Sequence, residues 1–451
     1  MSQQTNSNLT PKNPLGFKIG IHYAWIIIAI AALIHMAGGS IRQAFGVLII
    51  PLEETMGWSP AAIALGYSIA SLTGAFLAPF TGMATDRFGA RRVIMVGALF
   101  FFIGAILTGL VSEVWHIWIS FGLCLGIAQA CFNVPILTAA SLWFQKRLGF
   151  GVGLLQAAHG VGPALASLGV GTLLIAFAWQ TTFWSIAFVG GAVLLVLLFL
   201  FRSHPNDINL RPYGAPEDEP IREKQDPVIA ALRSKTYRQC MQGTFAFWKL
   251  VAVHHLGCVG HAIVIIYTVP IAVNAGIEYS TAFKILATLM VVSVFTRFIT
   301  PVISDFVGSK WTMAIMFMLQ GFPVLLLLFT HEVWHFYAWA VIFGIGYGGE
   351  GSGFPIINRQ YFGRGPMGRS FGWQQFGAGS GMAFGAWIGG YLYYLFGSYN
   401  PAIILSTVAS VGGALVLISM APTNKLLIEN WEDSLPPEAK SFQSPVASSA
   451  D

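Results

Sequence analysis

The chain has 451 residues, of which 55% are hydrophobic and only 10% are charged, and its formal net charge at pH 7 is +5. Soluble domains carry about 25% charged residues, so most of this chain cannot face water. The surplus cations fall in short loops between apolar runs, where they are typical of topology determinants and give no reason to expect a nucleic-acid partner.

The chain begins with a mostly polar segment, residues 1–21, which we predict to be a cytoplasmic tail. A bilayer core needs about 20 apolar residues per helix, and twelve runs of this kind follow. In the first half they lie near 22–51, 60–82, 91–112, 116–141, 150–177 and 179–201. In the second half they lie near 246–272, 281–303, 310–330, 335–359, 370–395 and 399–420.

Two polar segments complete the predicted organisation. Residues 202–245 contain an acidic run and then, from Val228 to Met241, a basic amphipathic pattern. This segment predicts a cytoplasmic linker with a helix lying on the membrane face. Residues 422–451 are rich in Pro, Ser and Glu, a composition that predicts a disordered cytoplasmic tail. The bundles themselves are predicted over 22–201 and 246–421.

Charge distribution sets the predicted orientation. Lys and Arg concentrate in the loops on one side, as at Arg92, Lys146 and Arg364, whereas the opposite loops carry mainly Glu, as at Glu113 and Glu278. The positive-inside rule therefore places both termini in the cytoplasm of a multi-pass protein of the cytoplasmic membrane.

The sequence predicts no enzyme. The four cysteines show no metal-ligand spacing, and we find neither a catalytic constellation nor a phosphate-binding GxxxxGK[ST] loop. We therefore predict no catalytic residues, no metal and no cofactor, and a monomer whose partners are the lipid bilayer and a small solute.

A charged turn occurs twice. The first copy runs from Gly82 to Arg92 and carries Asp86; the second carries Asp305, which lies 305 − 86 = 219 residues later. Both copies keep an Asp, a Gly three residues on and a cation two residues after that. A repeat at half-chain distance between apolar helices indicates two related halves, an architecture typical of transporters.

The first copy, G-x-x-x-D-R-x-G-x-R-R, resembles a signature of the major facilitator superfamily. That resemblance implies an all-α membrane protein with twelve transmembrane helices in two pseudo-symmetric six-helix bundles. It also implies that Asp86 contacts a neighbouring helix end and helps to lock one conformation, with Asp305 as the weaker copy. The predicted gating residues are Gly82, Asp86, Arg87, Gly89, Arg91 and Asp305. The alternative is that these charges only set topology.

Within that superfamily the chain resembles the monocarboxylate transporter and oxalate/formate antiporter branch. The resemblance is carried by Tyr23-Ala24-Trp25, by Phe144-x-x-Arg147 with the glycines that follow, by Leu210-Arg211-Pro212-Tyr213-Gly214, and by Arg297 eight residues before Asp305. Arg297 looks like the substrate-binding arginine of that branch. The chain departs from the branch at Gly20, His159 and Ser293, and its eleventh helix has no lysine.

Three formally charged residues lie well inside the predicted helices: Arg42, Arg297 and Glu350. Each costs roughly 2.5–3.5 kcal/mol at a bilayer centre unless a cavity or partner receives it. Arg297 offers a planar cation to a substrate carboxylate, or it forms a structural ion pair with Glu350. Arg42 either assists in binding the anion or extends to the membrane surface.

Glu350 and the seventh helix supply the candidate proton sites. A desolvated carboxylate can bind and release a proton near neutral pH, or Glu350 forms an ion pair that the substrate breaks. His261 falls opposite Arg42 at the same offset and is predicted both to bind substrate and to carry a proton. Tyr267 is a further substrate-binding candidate on that helix.

These observations favour a secondary transporter of a small organic anion, a monocarboxylate by preference, that works by alternating access with proton coupling or exchange. Two alternatives remain open at this point. A carrier of a neutral or zwitterionic metabolite would use Glu350 to bind a cationic group beside Arg297. A membrane sensor on the same fold would need an output domain that this sequence does not show.

Overall fold

A computed structural model of the chain describes residues 21–39, 49–58, 60–216 and 227–440. Arg42 and the segments 1–20, 217–226 and 441–451 lie outside the described residues. Within the described ranges the chain is helical, and its only β-type pairing is an isolated bridge between Phe144 and Tyr213. Helices are the expected outcome, because a chain in lipid must satisfy its backbone hydrogen bonds within each spanning segment.

The helices follow the predicted spans in order. In the N-terminal half they are α1 (Tyr23–Ile34, continued by a π-helical turn at His35–Gly39), α2 (Ile49–Met56), α3 (Pro60–Phe88), α4 (Ala90–Thr108), α5 (Val114–Trp143), α6 (Leu148–Ala176) and α7 (Trp179–Leu200). A linker helix, α8 (Pro227–Gln242), then leads to the second half.

The C-terminal half repeats this arrangement. Its helices are α9 (Phe245–Asn274), α10 (Tyr279–Val307), α11 (Ser309–Gly321, extended by a 3-10 turn to Leu328), α12 (Val333–Glu350), α13 (Phe354–Phe362), α14 (Gly368–Phe396) and α15 (Asn400–Ile418). Among the described residues seven helices are long and apolar enough to cross a membrane, namely α4, α5, α7, α9, α10, α11 and α15. The helices α3, α6 and α14 have 29 residues each but carry more small and polar side chains.

The two halves meet along two helix pairs, α3 with α14 and α6 with α10. Glycines allow both close approaches: a Cβ at Gly149 would lie 2.1 Å from the carbonyl oxygen of Pro301, and a Cβ at Gly372 would lie 2.4 Å from that of Ala78. Small residues let helix backbones approach in lipid. The glycines of α6 and α14 at this interface are related by the offset of the charged turns: Gly149 and Gly368, Gly153 and Gly372, Gly160 and Gly379.

The C-terminal tail differs from its prediction. Residues 422–440, predicted to be disordered, pack against α8 and the end of α13, whereas 441–451 lie outside the described residues. Arg233 of α8 donates hydrogen bonds to Glu432 and to the carbonyl of Ala439, and its Cζ lies 5.1 Å from the centre of the Trp431 ring. Composition did not reveal this docking, because α8 precedes the C-terminal bundle in the sequence and the tail follows it.

Candidate functional site

Arg297 lies on α10, half-buried at the contact between the two halves. Its Cζ lies 4.8 Å from the centre of the Tyr347 ring, a cation–π distance. Its buried Nε has no hydrogen-bond partner. No carboxylate among the described residues lies within 4.0 Å of this guanidinium. Arg297 therefore carries a positive charge that no described carboxylate neutralises by direct contact.

Tyr347 of α12 connects Arg297 to a second charged group. The Tyr347 ring meets the His261 ring edge to face at 4.9 Å between centres. His261 Nδ1 lies 2.9 Å from Glu350 Oε1, and both side chains are almost fully buried, with 6% and 2% exposed. Glu350 Oε2 has no hydrogen-bond partner. The predicted residues Arg297, His261 and Glu350 are thus brought together, and the described basic side chain within 4.0 Å of Glu350 is that of His261 and not that of Arg297.

Cys258 completes a buried donor group beside this pair. The ligand atoms of Cys258, His261 and Glu350 all lie within 4.8 Å of one another. Sulfur, nitrogen and oxygen donors of this kind suit Zn²⁺, and the imidazole–carboxylate pair equally suits a proton. Sequence spacing could not predict this group, because Cys258 and His261 lie on α9 and Glu350 comes from α12.

The other predicted ligands are placed differently. Tyr267 donates a hydrogen bond from its hydroxyl to the carbonyl of Ala386 at 2.9 Å, on the contact between α9 and α14. Its ring centre lies 5.4 Å from that of Tyr399. These contacts are typical of a side chain that packs two helices together. Among the described contacts of Tyr267 there is none with Arg297. Arg42 lies outside the described residues.

Two histidines pair in the N-terminal half, and the sequence singled out only one of them, His159. His35 Nε2 and His159 Nδ1 lie 2.5 Å apart, joining α1 to α6. His35 is 9% exposed. One signal for it was available, since His159 stands where the resembling branch usually has a small residue.

The charged turns lie at the cationic end of the molecule, defined here as the end formed by the Lys- and Arg-rich loops after α3, α5 and α13. Asp86 accepts hydrogen bonds from the backbone N–H groups of Gly368 at 2.8 Å and Arg369 at 2.9 Å. These groups begin α14 of the opposite half, so the carboxylate meets the positive end of a helix dipole. A Cβ at Gly82 would lie 2.1 Å from the Gly368 carbonyl oxygen, so a side chain there would block this approach.

Asp305 makes the equivalent contact with one hydrogen bond fewer. Its Oδ2 accepts from the backbone N–H of Gly149 at 2.7 Å, at the start of α6. Arg359 adds a third link, donating to the carbonyls of Ser141 at 3.0 Å and Phe144 at 3.3 Å at the end of α5. Two carboxylates thus meet helix N-termini and one guanidinium meets a helix C-terminus, each between the two halves. Sequence reasoning missed Arg359, because an Arg beside a basic loop is also typical of a topology charge.

The remaining predicted gating residues lie off this contact. Gly89 caps the start of α4 with φ 84°, a conformation that favours glycine. Arg87 is exposed, with its Cζ 5.1 Å from the Phe88 ring centre. Arg91 donates from Nε to the carbonyl of Leu198, within the N-terminal half.

Known proteins resemble this chain in sequence and in fold. A model of the Major Facilitator Superfamily matches residues 28–305 and 262–448. Human monocarboxylate transporter 11 is 25% identical over 198 residues, which cover 44% of this chain and 40% of that protein. Zebrafish monocarboxylate transporter 12-B is 19% identical over 426 residues, covering 88% and 87%. The matched region spans less than half the length of the first curated relatives, 40% of the human and 47% of the mouse transporter 11.

Solved structures share the fold. The proton:xylose symporter XylE, bound to 6-bromo-6-deoxy-D-glucose, superimposes with a TM-score of 0.69 at 15% identity, covering 91% of this chain and 98% of that one. FucP in the outward conformation gives 0.65 at 13% identity, covering 88% and 99%. The fold is that of membrane transporters and not of enzymes. The chain belongs to the Major Facilitator Superfamily, near its monocarboxylate transporter branch.

Proposed function

We propose that this protein is a secondary transporter that moves a small organic anion, with a monocarboxylate as the preferred substrate, together with a proton. The observation that carries the proposal is the arrangement of Arg297, Tyr347, His261 and Glu350 in one contact chain. Arg297 would bind the substrate carboxylate, because a guanidinium offers paired donors in the plane that a carboxylate needs. The named substrates of the monocarboxylate transporter relatives agree with this choice.

Proton coupling would follow from charge balance. With no bound proton the His261–Glu350 pair carries one negative charge and partly compensates Arg297. When the pair takes up a proton it becomes neutral overall, and the positive charge of Arg297 attracts an anion more strongly. Proton and anion would therefore bind together and cross the membrane in the same direction, as in a symporter. Exchange of one anion for another needs only the Arg297 site.

A zwitterionic substrate fits the geometry less well. It requires Glu350 to receive a cationic group, yet Glu350 is 2% exposed and its Oε1 is already 2.9 Å from His261 Nδ1. An incoming ammonium would have to break this pair before binding.

Alternating access would use the cationic end as its gate. The contacts of Asp86, Asp305 and Arg359 hold the halves together there, and the Lys and Arg distribution predicts this end to be cytoplasmic. We propose that this arrangement is closed toward the cytoplasm and that it opens when these three charge–helix contacts separate.

The test is uptake of labelled lactate, pyruvate, formate and oxalate into proteoliposomes under an imposed pH gradient, with betaine and a neutral sugar as competitors. The proposal expects saturable anion uptake that rises when protons flow in the same direction, and no competition from betaine or sugar. Uptake of betaine or sugar without uptake of any anion would overturn it.

A further inference from the structure

The thiol of Cys258 lies beside the proposed proton site and has no part in the scheme above. Cys258, His261 and Glu350 each offer one ligand atom, and these three atoms all lie within 4.8 Å of one another. The side chains are buried, since the three residues are 2%, 5% and 2% exposed. A sulfur, a nitrogen and an oxygen donor therefore share one closed space in the C-terminal half.

Helix geometry brings these donors together. Cys258 and His261 lie three residues apart on α9 and so share one face of that helix. Glu350, the last residue of α12, reaches the same face because Gly257 leaves room for it, since a Cβ at Gly257 would collide with Glu350 Oε2. The carboxylate therefore lies directly against the backbone of α9, beside the thiol.

Two of the donor atoms lack a hydrogen-bond partner. His261 Nδ1 lies 2.9 Å from Glu350 Oε1, but the two atoms are not aligned as a hydrogen bond. Among the described residues neither His261 Nδ1 nor Glu350 Oε2 has a hydrogen-bond partner, and both are buried. Leaving such an atom unsatisfied costs about 1–3 kcal/mol. A cation that bound both atoms would offset this cost, whereas a thiol that only filled space would not.

The donor set selects the class of cation. Thiolate, imidazole and carboxylate are ligands of Zn²⁺, and three protein ligands leave the fourth position of a tetrahedral site to water. Ligand atoms on one tetrahedral Zn²⁺ lie roughly 3–4 Å apart, given bonds of about 2.0–2.3 Å, so small side-chain movements would close this group around the ion. Mg²⁺ and Ca²⁺ prefer oxygen ligands alone and do not suit a thiolate.

We propose that Cys258, His261 and Glu350 bind a thiophilic divalent cation, Zn²⁺ or Cd²⁺, and that the bound ion blocks proton coupling. On binding, the Cys258 thiol releases its proton to the solvent and coordinates the ion as a thiolate. The ion also occupies the His261 nitrogen and the Glu350 oxygen that hold the coupling proton, so it excludes that proton. Because the group is closed to water in this structure, the ion enters during an opening motion of the helices. The site follows from the geometry, and its inhibitory effect rests on the proposed function.

The binding test uses Cd²⁺ alone, because a Cd²⁺–thiolate bond gives an ultraviolet absorption band. Wild type is expected to bind Cd²⁺ with this band, which Zn²⁺ should abolish and Mg²⁺ should not. Cys258→Ser keeps the shape of the side chain and should weaken Cd²⁺ binding by more than about tenfold, since even the loss of an outer-shell partner costs about 10–100-fold. The controls are Cys131→Ser, at another buried cysteine, and Cys240→Ser, at a half-buried one; both should keep the Cys258 band. Absence of a thiolate band in wild type, or an unchanged band in folded Cys258→Ser, would overturn the site.

The transport test compares proton-driven anion uptake with and without Zn²⁺, each protein being judged against its own metal-free rate. Zn²⁺ should abolish proton-driven uptake by wild type and leave that of Cys258→Ser unchanged. Equal inhibition of both proteins, or no inhibition of a wild type that binds Cd²⁺ at Cys258, would overturn the block. Absence of saturable anion uptake without metal would overturn the proposed function and the block with it, and the Cd²⁺ band would still decide the site.

Discussion

Replacing Glu350 with Gln separates anion binding from proton coupling. Arg297 Cζ and the His261 ring centre each lie within 5 Å of the Tyr347 ring centre, at 4.8 and 4.9 Å, and Glu350 lies 2.9 Å beyond His261 Nδ1. The positive and negative charges are therefore no more than roughly 10–13 Å apart, where an effective dielectric constant of about 20 gives ~1.3–1.7 kcal/mol. An anion bound at Arg297 lies at a comparable distance from Glu350, so Glu350→Gln removes a repulsion of about this size. Anion binding should then be about tenfold tighter whenever the wild-type pair lacks its proton.

The assay is pyruvate binding as a function of pH, since pyruvate stays ionised throughout. Wild-type affinity should fall as pH rises, because the pair loses its proton and again compensates Arg297. Glu350→Gln should bind with an affinity that does not change with pH, equal to wild type at low pH and about tenfold tighter at high pH. Proton-driven accumulation should be lost while anion exchange continues.

The control is Glu332→Gln, an exposed glutamate at the start of α12, which should follow the wild-type curve. A Glu350→Gln protein that kept the wild-type pH dependence would refute the reasoning, because the titrating group would then lie elsewhere.

Three further predictions concern the gate, the site and the tail. Asp86→Asn removes the charge from two hydrogen bonds to the start of α14 and should shift the equilibrium toward an open cationic end by about 1–3 kcal/mol. Spin-label distances across that end measure the open fraction, which should rise less in Asp305→Asn because Asp305 accepts one such bond. Unchanged distances in both variants would contradict the gate. Gly160→Ala should weaken carboxylate binding severalfold, because the added Cβ displaces Arg297. Gly169→Ala on the same helix is the control, since a Cβ there lies within 4 Å of no other atom and should leave binding unchanged. Equal binding by both variants would contradict the contact between Gly160 and Arg297. Arg233→Ala should expose residues 422–440 to proteolysis, because Arg233 binds Glu432 and Ala439 of the tail. Lys235→Ala, a change at an exposed residue of the same helix, should leave the tail protected. An equally protected tail in both variants would show that Arg233 does not hold the tail in place.

The fold could be predicted from the sequence because its signals are local. Apolar run length gives the helices, and the repeat of Asp86 at Asp305 gives two related halves. The family assignment confirms both the superfamily and the fold class. Even so, the docking of residues 422–440 was missed, because Arg233 and Glu432 are distant in the sequence and composition carries no information about such pairs.

The site could be predicted only in part, for the same reason. Arg297 and Glu350 stand out because a charge in an apolar helix is conspicuous, and His261 was placed by the repeat offset. Tyr347 is an ordinary residue in such a helix, and its position between Arg297 and His261 depends on how α9, α10 and α12 pack. Arg359 lies in the last turn of α13, next to a basic loop, where the sequence cannot distinguish a gating role from a topology charge. The assignments of Arg297, Arg42, His261 and Tyr267 to the substrate site, and of Glu350 and His261 to proton coupling, stay predictions.

The most direct test of the account is carboxylate binding and uptake by Arg297→Gln. Arg297 is the cation on which the anion site depends, and removing it should weaken binding at least about thirtyfold, since loss of one partner of a buried charge pair costs roughly 2–5 kcal/mol. Arg297→Lys should retain part of the affinity, and Arg92→Gln, an exposed cation on α4, should bind as wild type does. If Arg297→Gln bound and transported the anion as well as wild type, the proposed site would be wrong.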